Sequence, residues 1–177
     1  MNMLGLRLLL AVLLVGTTLT GCSALSPFDT CEDTESPLRK LDAVEVLDLR
    51  PAEARPVDGG SRAYCTDDSG DAGLRAERLY VFHGTRDEVL EYYGRAAPAA
   101  GWRPVQDLDT GPDGRRAVFC FDADARPSVT LAFDTPESLR EFYGLDPGPE
   151  AADPGSHVWF SLFAESSTDG SRLGCLD

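Results

Sequence analysis

Five cysteines constrain this chain of 177 residues more than any other feature. They stand at positions 22, 31, 65, 120 and 175, so one is left over however they pair. Cys22 is set apart because it closes an export signal. The other four, Cys31, Cys65, Cys120 and Cys175, are an even set in an exported chain, which reads as two disulfides. A zinc site wants close pairs such as C-x-x-C, and gaps of 34, 55 and 55 residues offer none. Three pairings are open. Joining nearer neighbours, Cys31 with Cys65 and Cys120 with Cys175, closes the shorter loops. A fold stapled in this way belongs in an oxidising compartment.

The export signal runs from Met1 to Gly21. It has no acidic residue, carries Arg7, and contains the apolar run Leu8 to Val15. That run is shorter than the ~20 residues that cross a bilayer, so a secretory signal fits better than a transmembrane anchor. Leu19-Thr20-Gly21-Cys22 then resembles the lipobox of bacterial lipoproteins: an aliphatic residue, two small residues, and cysteine. The resemblance implies a diacylglyceryl thioether on Cys22 with cleavage before it, because this lipid is attached through sulfur. Two acyl chains anchor a protein stably where one does not. The expected layout is a signal peptide over 1–21, a lipidated N-terminus and flexible tether over 22–37, and a single disulfide-stapled domain over 38–177. The expected location is the extracytoplasmic face of the cell membrane, with the membrane itself as a partner through Cys22.

Cleavage there leaves 156 residues with a net charge of −15. Such a balance lacks the basic footprint of a nucleic-acid binder. One Lys (Lys40), one Asn (Asn2) and no Ile stand against 15 Arg, the bias of a high-GC genome. The Glu-Tyr-Tyr-Gly and Gly-Trp stretches with their flanking cysteines resemble small uncharacterised actinobacterial lipoproteins. That resemblance brings no activity with it.

Local signals predict an α+β domain. Thr85 followed by Glu88 is a capping box, and Val89, Leu90, Tyr93, Ala96 and Ala97 repeat at helical spacing, so a helix is expected from Arg86 to about Ala97. Pro98 should end or kink it, and Gly101 should terminate it. Residues 78–83, 116–122, 128–134 and 157–164 read as strands, with weaker ones over 62–66 and 102–108. Leu38 to Leu49 is apolar enough to join the core. The polar stretches 66–73, 109–114, 122–127 and 147–156 read as loops. The block from Thr85 to Gly94 aligns without gaps on Thr135 to Gly144, with four of ten positions identical. The expected architecture is therefore a mostly antiparallel sheet of five or six strands with one or two helices packed on a face, either as two ββαβ repeats or as two capped helices that merely look alike. Alternation in 78–83 and 157–164 makes both sheet faces apolar. The second face then needs the 38–49 segment, the second helix or a partner to cover it.

Catalytic motifs are missing. There is no G-x-S-x-G, H-E-x-x-H, phosphate loop or G-x-G-x-x-G. Asp67 to Asp71 starts like a calcium loop, but Ala72 and Arg78 stand where Gly and Glu are needed. His83 and His157 each read more readily as a hydrogen-bonded structural residue than as a general base. Trp102 reads as core closure before it reads as a stacking platform. No catalytic set, metal site or cofactor is expected. The reading is a non-catalytic, lipid-anchored binding or adaptor module with an envelope protein as partner, using an apolar patch around Tyr80, Phe82, Trp159 and Phe163. The alternatives are a small-ligand carrier or sensor, which needs a closed apolar pocket, and an envelope-acting enzyme, which needs convergent polar groups in a cleft.

Overall fold

The computed structural model describes residues 30–68, 71–105, 118–148 and 157–175. Six strands form one antiparallel sheet: β1 (Arg55–Asp68), β2 (Asp71–Phe82), β3 (Arg103–Pro104), β4 (Val118–Asp122), β5 (Val129–Asp134) and β6 (Val158–Ser167). Their spatial order is β1-β2-β6-β5-β4-β3. Three helices accompany them: α1 (Glu35–Asp42), α2 (Arg86–Ala99) and α3 (Pro136–Tyr143), with a 3-10 turn at Glu45–Asp48. This is an α+β fold on a mostly antiparallel sheet, as the sequence predicts.

The two sides of the sheet are built differently. Tyr80 pairs with Phe160, Leu131 with Leu162 and Phe119 with Leu131, so these side chains share one face. On it lie Val89, Leu90, Tyr93 and Ala97 of α2, with Leu41, Val46 and Leu47 from the 38–49 segment. Two phenols clamp that segment: Tyr80 donates to the Leu47 carbonyl at 2.8 Å and Tyr93 to the Leu49 carbonyl at 2.6 Å. Arg78, on the same face, donates to Asp42 and Asp48. The opposite face carries a smaller cluster of Leu79, Val81, Trp159 and Leu139, the last from α3. Both faces are apolar, as alternation requires, and the second helix covers the second one.

The capping boxes at Thr85 and Thr135 are both formed. The halves nevertheless differ from two ββαβ repeats. β2 and β5 both lie antiparallel to β6, so they run parallel to each other with β6 between them. In strand order and direction, a half-turn about β6 relates β1-β2-α2 to β4-β5-α3 and exchanges the faces. Only one strand can lie on such an axis. β6 takes it, and β3 is displaced to the far edge beside β4. The order that recurs is thus ββα rather than ββαβ.

Several local expectations need correction. Helix α2 continues through Pro98 to Ala99, and beyond the proline the Ala100 N–H still bonds the Ala96 carbonyl; Gly101, at φ +88°, then ends it. Within the stretch expected to be a loop, 66–68 and 71–73 are strand: β1 runs to Asp68 and β2 starts at Asp71. Polar side chains there hide a strand pair whose backbone does the bonding. The tether expected to Pro37 ends sooner, since Cys31 is bonded to Cys65 and α1 starts at Glu35. β1 also bulges between Pro56 and Ser61. A Cβ at Gly60 would sit 2.6 Å from that of Leu79, so only glycine lets the strands approach there.

Candidate functional site

Cys22, the residue expected to carry lipid, and the stretch 1–21 expected to be a signal peptide lie outside the described residues. Of the remaining cysteines, Cys31 bonds Cys65 and Cys120 bonds Cys175, the nearer-neighbour pairing. The four aromatics expected to form an exposed patch do not form one. Tyr80, Phe82, Trp159 and Phe163 are 2%, 7%, 8% and 9% exposed. Register explains it. Tyr80 and Phe82 share the face of Phe160, covered by α2, whereas Trp159 and Phe163 point to the other side. Alternation assigns faces within one strand, but only pairing relates one strand's faces to another's.

The second face holds the site that sequence reasoning missed. Arg62, Tyr64, Arg75 and Glu77 project there from β1 and β2, opposite Phe163 and Glu165 of β6. Glu77 is 1% exposed. One of its oxygens accepts from Arg62 Nε at 3.1 Å; the other accepts from Arg75 Nη2 at 3.3 Å and from the Tyr143 hydroxyl at 2.5 Å. Arg75 also bonds Glu165 at 2.9 Å and stacks its guanidinium 3.6 Å from the centre of the Phe163 ring. Arg62 lies 4.5 Å over Tyr143 and donates to the Phe142 carbonyl. Planar guanidinium groups suit this combination of forked hydrogen bonding and stacking.

Helix α3 stops short of covering this network. Arg62, Tyr64, Arg75, Glu77, Phe142 and Tyr143 line an open cleft of about 240 Å³. Phe142, on its rim, is 51% exposed. Burial would weaken the charge on Arg75, but Glu77 and Glu165 overcome it and hold its pKa above the ordinary value. Burial, helped by Asp134 and by the bond to Glu77, raises the pKa of Tyr143 strongly, so its phenol remains a donor. The arginines and carboxylates balance in charge. Such a network fixes the walls of a cleft without supplying a strong anion attractor. The signal for it was present: Leu74, Arg75, Ala76 and Glu77 alternate apolar and charged, which is alternation on a strand.

Elsewhere, a cleft of about 240 Å³ opens beside Pro37, Leu41 and Pro127, and one of about 410 Å³ along Asp87, Leu90, Glu91 and Gly94 of α2. The sequence treats His83 and His157 separately; the structure puts their rings in contact, with centroids 3.9 Å apart. Trp102 is buried, and its indole N–H donates to the Pro127 carbonyl at 3.1 Å. No protein-family model, curated protein or solved structure matches this chain.

Proposed function

We propose that the mature chain is a non-catalytic binding module, held at the extracytoplasmic face of the cell membrane by lipid on Cys22, with the α3 side of the sheet as its docking face. The observation that carries the reading is the exposure of Phe142 beside a cleft whose walls are fixed by the Glu77 network. Aromatic and arginine side chains around a small pocket are the residue types that anchor protein interfaces. The cleft is below the ~300 Å³ at which small-molecule pockets usually begin, which favours a protein side chain over a free ligand. The Cys31–Cys65 bond supports a short leash. Nine residues beyond Cys22 reach at most roughly 30 Å, so the partner is itself an envelope protein near the membrane.

The test is in-cell photocrosslinking of the full lipidated chain, with the reactive residue at Phe142 or, as control, at the exposed Arg95 on α2. An adduct with one envelope protein from position 142 alone is expected. Equal adducts at both positions, or none at 142, overturn the docking face. Intact mass of membrane-extracted protein tests the anchor independently: an unmodified Cys22 removes it.

A further inference from the structure

We propose that His83 and His157 form a two-histidine binding site for a divalent transition-metal ion, at the end of the sheet opposite the Cys31–Cys65 staple. These are the only histidines in the chain, and they stand 74 residues apart in sequence. Phe82 pairs with Val158 as the last rung of the β2–β6 ladder, so His83 and His157 occupy the next opposed positions. Their Nε2 atoms are 3.1 Å apart. Zinc–imidazole bonds are about 2.0–2.1 Å long, so two of them spanning that gap meet at roughly 95–102°. That angle lies between the right angle of tetragonal copper or nickel sites and the tetrahedral angle of zinc. That separation is one a single ion can bridge, once both Nε2 lone pairs turn from each other towards it.

In the metal-free pair, one Nε2–H donates to the other ring's lone pair. On binding, that proton moves to Nδ1 of the donor ring, and both Nε2 lone pairs face the ion. His83 is exposed and His157 half-buried, so the ion has access. The imidazole of His157 stacks on the indole of Trp159, at 6.2 Å and 27°, which fixes its orientation. No group of three or more His, Cys, Asp or Glu side chains converges on a common point among the described residues. Among the described residues the ion is therefore held through two nitrogens, with the rest of its coordination sphere open. Such an open sphere suits reversible capture rather than a structural ion. Imidazole favours copper, zinc and nickel over calcium or magnesium, and copper(II) binds tightest in that series.

The experiment titrates copper(II) chloride into the chelator-stripped, full-length protein. Calorimetry, indole fluorescence and electron paramagnetic resonance are read together. One equivalent should bind, quench emission that is absent from a Trp159→Phe variant, and show coupling to two nitrogens. His83→Gln and His157→Gln should each weaken binding at least about tenfold, since even outer-sphere partners of a ligand are worth that much. Unchanged affinity in both variants, or a spectrum with oxygen donors only, overturns the site and assigns the copper to surface carboxylates. None of these readouts depends on the docking face at Phe142.

Discussion

Glu77 and Glu165 bond the same guanidinium, that of Arg75, yet removing them should have very different consequences. The Glu77 side chain is 2% exposed and that of Glu165 is 46% exposed. Glu77→Leu leaves the Arg75 guanidinium, 23% exposed and with Nε already buried without an acceptor, short of its main counter-charge. It also takes the acceptor from the Tyr143 hydroxyl. Breaking a buried pair from one side costs about 3–5 kcal/mol. Glu165→Leu breaks a pair that water already reaches, worth about 0–1 kcal/mol. At about 2–4 °C per kcal/mol for a chain of this size, Glu77→Leu should lower Tm by roughly 6–20 °C and Glu165→Leu by no more than about 4 °C. Thermal unfolding of the oxidised protein, followed by near-ultraviolet circular dichroism, measures both. A companion variant sharpens the argument. Adding Arg62→Leu, Arg75→Leu and Tyr143→Phe to Glu77→Leu removes all three donors that the carboxylate leaves behind, and most of the lost stability should return, because apolar replacement of a complete buried network is close to neutral. If Glu77→Leu and Glu165→Leu fall within about 1 kcal/mol of each other, burial does not govern the worth of this network and the reasoning fails.

Replacing Cys31 and Cys65 together by Ser should cost about 3–4 kcal/mol for a separation of 34 residues, and replacing Cys120 and Cys175 about 4 kcal/mol for 55; denaturant midpoints would show either loss. Asp122 titrates below the ordinary aspartate value because Arg172 donates a hydrogen bond to it, so its contribution to stability is present above the unfolded pKa and is lost as pH falls through the folded one. Arg172→Gln should raise that pKa towards the ordinary value in a side-chain carboxyl NMR titration, and an unmoved titration curve would rule out the bond as the cause.

Legibility in the sequence followed the range of the interaction. The caps at Thr85 and Thr135 are signals spread over four residues, and both helices begin where those signals place them. The 38–49 segment could be assigned to the core from its apolar content, since Leu41, Val46 and Leu47 need only be buried somewhere. β1 was legible only over 62–66, because Pro56, Asp58, Gly59 and Gly60 look like punctuation; they are a bulge, where backbone pairing outweighs side-chain preference. The apolar patch expected at Tyr80, Phe82, Trp159 and Phe163 fails for a related reason. Tyr80 and Trp159 look alike in alternation, but they lie on opposite sides once Tyr80 is paired with Phe160. Arg62, Arg75 and Glu77 look like a solvated surface until Tyr143 of α3 bonds Glu77 beside them, a contact encoded far away at residues 136–143.

The central place of β6 bears on how the chain comes to be folded. It is the last strand to be synthesised, yet both ββα halves lean on it, through contacts such as Arg75 with Glu165, 90 residues apart. Until it arrives, β2 and β5 each present an unpaired edge, the kind of surface on which chains stick to one another. Local hairpins and helices can form early, but closure waits for the most distant partners, which makes folding slow for a domain of this size. A chain cut short before Val158 would be two half-built sheets with open edges, a ready target for proteases and chaperones.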